Sequence, residues 1–199
     1  MAIGAFSGVQ PERPILGDHE KGMRLVLCFA VFALVAAQAL AASVDPSVLA
    51  LRQADVPAGF TLDRSDSGVR SNASEAKESP EAKRFFARWH RLTGYQTVWH
   101  RREQRIEARA DVFASAAGSQ KLLGWADRQL RLSGIKGLER VRVRVGAGGW
   151  MYRGGFDGQA VVIWRYRHVW AGIGVRRISP TLTLDLARKQ QRRIAAALG

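Results

Sequence analysis

Charged and apolar residues alternate through residues 103–114, and this period of two constrains the fold more than any other stretch of the chain. Glu103, Arg105, Glu107, Arg109 and Asp111 fall on one side, and Ile106, Ala108, Ala110 and Val112 on the other. Successive side chains of a strand point to opposite faces, so the stretch predicts a strand with one apolar face and one solvated face of mixed charge. Residues 140–145 repeat the device, with Arg and Val alternating three times. Residues 95–100, 150–153, 159–166 and 169–176 read as further strands, the last two joined as a hairpin near Arg167 and His168.

Helical signals flank these strands. Asp45-Pro46 reads as an N-cap with proline at the first helical position, opening a short helix to about residue 53. Ser79-Pro80 caps a helix over 80–92, with Phe85, Phe86, Trp89 and Leu92 as its apolar stripe. Ser115 opens a third to residue 132, whose inner side is Leu122, Leu123, Trp125, Ala126 and Leu130. A last helix, 181–198, turns Leu184, Ala187, Ile194 and Leu198 inward. Residues 63–79 are rich in Ser, Asp, Glu and Gly, with Val69 the one large apolar residue, and read as a mobile loop. Runs of consecutive strands between helices predict an α+β fold: a mainly antiparallel sheet of about five to six strands with helices packed against it.

Upstream of this domain lies an apolar run, 25–37, after Lys21 and Arg24 and before Ala39-Leu40-Ala41. A basic start, a short apolar centre and a small-residue exit describe a secretory signal peptide. Thirteen residues make a helix of about 20 Å, shorter than the hydrocarbon core of a bilayer. Extended to Val44 the run reaches twenty residues, which leaves an uncleaved anchor as the alternative. The expected organisation is therefore a signal peptide or anchor helix over 23–41 and one exported domain over 42–199. Residues 1–22 contain Pro11, Pro14, Asp18 and Glu20 and read as a start-site artefact, with Met23 as the true first residue. Cys28 is the only cysteine and lies in the apolar run, so the exported part has no thiol for disulfides, thiolate metal sites or nucleophilic catalysis.

The chain carries a formal net charge of +14. Residues 1–41 hold three basic and three acidic residues, so the exported part keeps the whole excess. Such a charge favours polyanions. Beyond the cytoplasm these are anionic lipid headgroups or cell-wall polymers, and nucleic acid is not an expected partner. Membrane contact is expected only through the signal or anchor segment or through surface electrostatics.

Three stretches resemble exported bacterial PsbP-like α+β domains. They are residues 56–60 after the opening helix, residues 106–121 where a strand runs into a helix, and the hairpin 159–175 with its C-terminal helix. The resemblance covers residues 46–198. It implies a sheet with helices against it and brings no catalytic residue.

A search for chemistry returns little. His90, His100 and His168 show no metal-ligand spacing and no cysteine completes a zinc set, so no metal or cofactor is expected. No G-x-S-x-G frame marks a serine nucleophile. Glu103, Glu107 and Asp111 alternate with Arg105 and Arg109, which would hold them ionised, whereas a general acid needs a raised pKa. Gly146, Gly148 and Gly149 precede no helix and lack a Gly-Lys-Ser/Thr ending, so they read as a turn.

One constellation stands out: Trp150, Trp164 and Trp170 interleave with Arg142, Arg144, Arg153, Arg165 and Arg167. Guanidinium forks bind carboxylate or phosphate and aromatic faces stack on rings and cations, so these eight form the candidate binding site. The competing reading puts the aromatics in the core while the arginines reach outward. Together these features predict an exported, non-enzymatic envelope domain that binds an anionic partner. Two alternatives stand beside it: a small-ligand carrier or sensor with a pocket near Trp150, Trp164 or Trp170, and an unrecognised hydrolase.

Overall fold

The computed structural model describes residues 44–78, 80–154 and 158–199. The expectations about residues 1–22 and the export segment 23–41 lie outside the described residues. Seven strands form one sheet: β1 (Thr61–Val69), β2 (Arg91–Arg101), β3 (Gln104–Phe113), β4 (Glu139–Val143), β5 (Gly149–Arg153), β6 (Ala160–Tyr166) and β7 (Val169–Arg176). Their order is β1-β2-β3-β7-β6-β5-β4, with every neighbouring pair antiparallel. Two meanders, β1 to β3 and β4 to β7, thus meet along the β3–β7 seam. The helices are α1 (Asn72–Glu78), α2 (Pro80–Arg88), α3 (Ala116–Leu132) and α4 (Pro180–Leu198). Among the described residues no helix is long and apolar enough to cross a membrane.

The fold is α+β as the sequence predicts, but the sheet has seven strands rather than five to six. The extra one is β1, inside the stretch read as a mobile loop over 63–79. That expectation weighed side-chain apolarity alone. β1 is held instead by its backbone pairing to β2 and by polar anchors: the Arg70 amide donates to the Gly94 carbonyl at 2.8 Å, and Asn72 Nδ2 donates to the Arg91 carbonyl at 2.8 Å. Residues 72–78 form α1, whose Glu75 is buried against arginines. The predicted opening helix shortens to a 3-10 turn, Pro46–Leu49, with Asp45 as its cap accepting from the Ser47 amide at 2.9 Å. Helix α2 stops at Arg88, and Arg91 and Leu92 belong to β2.

Alternation in β3 sorts the layers. Its apolar face joins Trp99, Val162, Trp164, Ala171 and Ile173 and packs on Leu186, Ala187 and Ile194 of α4, with Leu49 and Leu51 completing the core. Its other face looks toward α3, whose Leu123 and Ala126 pack on Tyr152 and Ile163. Ser115 caps α3, accepting from the Gly118 amide. The buried stripe of α4 is centred on Leu186 and includes Thr183 and Gln190, whereas Leu184, expected to face inward, is only half-buried.

Candidate functional site

The β-ladder tells which of the eight candidate residues share a surface. Arg142 pairs across from Trp150, Trp150 from Ile163, and Arg165 from Trp170, so Arg142, Trp150, Arg165 and Trp170 all lie on the α3 face. Arg144 follows β4 in the turn to β5. The Ala147 amide donates to the Arg165 carbonyl at 2.8 Å, tying that turn to the end of β6. Arg142, Arg144 and Arg165 have no carboxylate partner among the described residues. The Arg142 guanidinium lies 6.0 Å from the Trp150 ring centroid.

The other candidates serve the fold. Trp164 is fully buried on the α4 face and donates its indole N–H to Gln191 Oε1 at 2.8 Å. Arg153 forms a two-pronged pair with Glu139, at 2.8 and 3.0 Å. Arg167 takes a positive φ of 51° in the β6–β7 turn and donates to the Leu198 carbonyl at 2.6 Å, the C-terminal end of α4, where cations are favoured. Trp150 has one ring face covered by Arg140, at 3.2 Å. Trp89 and Trp125 are half-buried, joined through Phe85 in an aromatic cluster between α2 and α3.

Under Trp150 lies a polar knot. Tyr152 donates its hydroxyl to Asp127 Oδ1, and Arg140 Nε reaches the same carboxylate oxygen at 2.8 Å. Burial pushes the Tyr152 phenol up, and the nearby Asp127 carboxylate adds to it, to about 12. For Asp127 burial acts upward too, but the hydrogen bonds from Tyr152 and Arg140 outweigh it and hold the pKa below the ordinary value of 3.8. His168 in the hairpin turn is shifted down, first by burial and then by Arg167.

On the same sheet face, the charged side of β3 is solvated at Glu103, Arg105 and Glu107, as the alternation predicts, but is covered at its Arg109–Asp111 end. Asp111 is 1% exposed, and it accepts from Arg91, itself 3% exposed, at 2.6 Å. Arg109 Nε lies 3.0 Å from Asp111 Oδ2, and Arg109 Nη2 lies 3.0 Å from Glu75 Oε2. Burial works against the Arg109 charge, but Asp111 and Glu75 outweigh it and raise its pKa above the ordinary arginine value. Arg91 also donates to Asn72 Oδ1 at 2.6 Å and the Arg70 carbonyl at 2.8 Å, and its guanidinium covers the Phe86 ring. Four charges locked together in this way are a brace between α1, β2 and β3.

Two clefts open elsewhere than expected. One of about 900 Å³ lies at the β2–β3 turn, lined by His100, Arg101, Arg102, Glu103 and Arg177. Most of its basic side chains are committed: Arg101 donates to Gln104 at 2.8 Å and to the Ala58 carbonyl at 3.0 Å, Arg177 pairs with Glu103, and His100 Nε2 lies 3.3 Å from Asp63 Oδ2. The other, of about 510 Å³, lies on the α4 face between β1, β2 and the Pro46–Leu49 turn. Neither is lined by Trp150, Trp164 or Trp170: Trp164 is sealed in the core, while Trp150 and Trp170 pack against the elements around α3. Among the described residues no three His, Cys, Asp or Glu side chains are placed to hold a metal ion.

Fold and site together define an α+β domain built on one seven-stranded antiparallel sheet, basic at one sheet end and braced by buried ion pairs at the other. No family model and no curated protein matches the chain, so the PsbP-like resemblance rests on its three sequence stretches alone. Among solved structures, the chain is similar to the extracellular domain of PknH from Mycobacterium tuberculosis, with a TM-score of 0.49 and 9% identity, covering 75% of this chain and 94% of that one.

Proposed function

We propose that this chain is an exported, non-enzymatic domain that binds an anionic partner of the cell envelope, a lipid headgroup or a cell-wall polymer. The observation that carries the reading is the group of three guanidinium side chains, Arg142, Arg144 and Arg165, at one end of the sheet, which have no carboxylate partner among the described residues. Other arginines pair with Asp111, Asp127, Glu139, Glu103 and Asp185, and others again, Arg52 and Arg64 among them, have no carboxylate among the described residues; Arg142, Arg144 and Arg165 are set apart by their common place at the β4–β6 end of the sheet. Unpaired, planar forks held on a rigid sheet suit phosphate and carboxylate oxygens. The net charge of +14 adds long-range attraction to the same class of partner. Export rests on the apolar run 25–37 with its small-residue exit.

The test is co-sedimentation of the purified protein with phosphatidylglycerol vesicles and with anionic wall polymer. Binding at about 50 mM salt is expected to weaken tenfold or more by about 200 mM, as counterion release requires. The triple variant R142Q/R144Q/R165Q is expected to lose most of it. Salt-insensitive binding, or a triple variant that binds like the parent, overturns the reading. For export, N-terminal sequencing of the secreted product is expected to start near residue 42, and a cytosolic product with its leader intact overturns that part.

A further inference from the structure

Helix α3 buries one side on the sheet, but its outer side is not uniformly polar. Leu122, Leu123 and Ala126 are buried, and Ser119 and Asp127 with them. Side chains three and four residues apart share a helix face, so Lys121, Trp125, Arg128 and Leu132 form one stripe on the side away from the sheet. Lys121, Arg128 and Leu132 are exposed, and Trp125 is half-buried. Leu132 is 73% exposed, and Ile135, just past the helix, 38%. The other exposed large apolar side chains among the described residues, Val69 and Leu92, belong to β1 and β2.

Helix α2 borders the stripe. Phe85 stacks on Trp89, with ring centroids 4.9 Å apart, and meets Trp125 at 5.5 Å, so the aromatic cluster runs from one helix to the other. A Cβ at Gly118 would overlap the Trp89 carbonyl, so glycine there lets the end of α2 come down on the first turn of α3. Arg84 and Arg88 are exposed on α2. Together with Lys121 and Arg128 they make four cations that have no carboxylate partner among the described residues. The one carboxylate of α3, Asp127, is buried against Tyr152 and Arg140. Glu81 stands at the far end of α2, in its first turn.

We propose that the outer side of α3, bordered by α2, docks on an anionic lipid bilayer. The proposal rests on the reading of the chain as a domain that binds an anionic envelope partner, and it names that partner as a bilayer rather than a wall polymer. Leu132 and Ile135 enter the boundary between headgroups and acyl chains, and Trp125 settles at headgroup level, where indoles are favoured. Lys121, Arg128, Arg84 and Arg88 lie among the phosphates, each strengthening binding several-fold. A soluble polyanion attracts the same cations but gives Leu132 nothing to bury into. A second copy would bring two cationic stripes together. Helix α3 packs on the sheet face that also carries Arg142 and Arg165, so both cationic groups lie on one side of the sheet.

The experiment mixes the purified protein with phosphatidylglycerol vesicles, phosphatidylcholine vesicles or anionic wall polymer, labels its lysines with an amine-reactive reagent and reads each site by mass spectrometry. On phosphatidylglycerol, labelling of Lys121 is expected to fall about threefold or more. Lys189, on α4 at the other face of the sheet, is expected to keep its rate. Phosphatidylcholine is expected to bind about tenfold more weakly. L132S removes an exposed side chain, so it is expected to leave the unfolding temperature and polymer binding unchanged while weakening phosphatidylglycerol binding about fivefold or more. K121Q/R128Q is expected to weaken it too, most at low salt. Protection of Lys121 no greater than that of Lys189 overturns the proposal, as does equal binding to phosphatidylcholine. Protection of Lys121 by polymer, or by raised protein concentration alone, also overturns it by making a polymer or a second copy the occupant. Parent-like vesicle binding by L132S and K121Q/R128Q overturns it even where R142Q/R144Q/R165Q has lost both partners and the sheet-end reading stands. The reverse, a parent-like R142Q/R144Q/R165Q beside a weakened L132S, removes the sheet-end arginines and supports the α3 face.

Discussion

The α3 face of the sheet treats arginine in two opposite ways. At the β2–β3 end, Arg91 is buried against Asp111, and the partly buried Arg109 is locked between Asp111 and Glu75. At the β4–β6 end, Arg142 and Arg165 stand on the same face with no carboxylate opposite. The cross-strand partners make the difference: Asp111 pairs across from Gly94 and Trp170, leaving room for two guanidinium groups to converge, whereas Arg142 faces an indole. Arginine count is therefore a poor guide to a binding surface. What distinguishes the two ends is whether a charge already has a partner, and the predictions below press on that contrast.

Asp111→Ala carries the largest expected effect. It strands Arg91 in a buried setting and leaves Arg109 with Glu75 alone, and breaking a buried pair from one side costs about 3–5 kcal/mol. Urea unfolding of the variant measures it. A loss under about 1 kcal/mol would mean that the brace is as dispensable as an exposed pair, and the contrast between the two ends would collapse.

Gly94→Ala attacks the same brace without removing a charge. A Cβ at Gly94 would overlap Asp111 Oδ1 and Arg91 Nη2 and also crowd the Ala110 carbonyl. Overpacking of this sort costs about 1–3 kcal/mol. Because the clash is with the ion pair, the cost of Gly94→Ala is expected to shrink in an Asp111→Ala background. Simple additivity of the two would place the crowding elsewhere.

Tyr152→Phe probes the knot between the two ends and is expected to cost about 1 kcal/mol at neutral pH, the worth of one hydrogen bond. Asp127 has a folded pKa below 3.8, so its contribution is present above that value and is lost as pH falls through the lower, folded value. The gap between variant and parent should close in strong acid. On the alkaline side Tyr152 is raised to about 12, so the parent loses this contribution as pH climbs from about 10 toward 12, and the variant has nothing there to lose. Unfolding free energy across the pH range checks both limbs.

The sequence made the strand periods legible because alternation is local: six of the seven strands, the Ser115 cap and the closing helix follow from it. It placed the dry face of β3 on Ile106, Ala108, Ala110 and Val112, but could not say that part of the charged face is covered too. Glu103 to Asp111 alternate with arginines in a way that suits water as well as a buried brace, and the covering residues, Glu75 and Asn72, come from a segment whose composition reads as loop. β1 stayed hidden for the same reason: it is held by ladder bonds and by polar contacts with β2 and β3, such as the Val98 amide on Ser67 and Arg105 on Asp66, and not by a run of apolar side chains of its own. Of the Arg and Trp candidates, the ladder puts Arg142, Trp150, Arg165 and Trp170 on one face, a choice that spacing within single strands could not make among the eight. The capping role of Arg167 and the core role of Trp164 depend on α4, which spacing within the strands does not see.

The smallest expected effect is the one that sharpens the contrast most. Replacing Arg142, Arg144 and Arg165 together by Gln removes three positive charges that no carboxylate of the described residues holds in place. Surface changes away from buried partners stay within about 0.5 kcal/mol, and relief of like-charge repulsion pushes the sign toward stability. The triple variant is therefore expected to unfold at the same urea concentration as the parent, or slightly above it, while Asp111→Ala unfolds far below. Should the triple variant instead lose stability on the scale of Asp111→Ala, those arginines would be structural after all, and the sheet end they occupy would have no charge to spare for a partner.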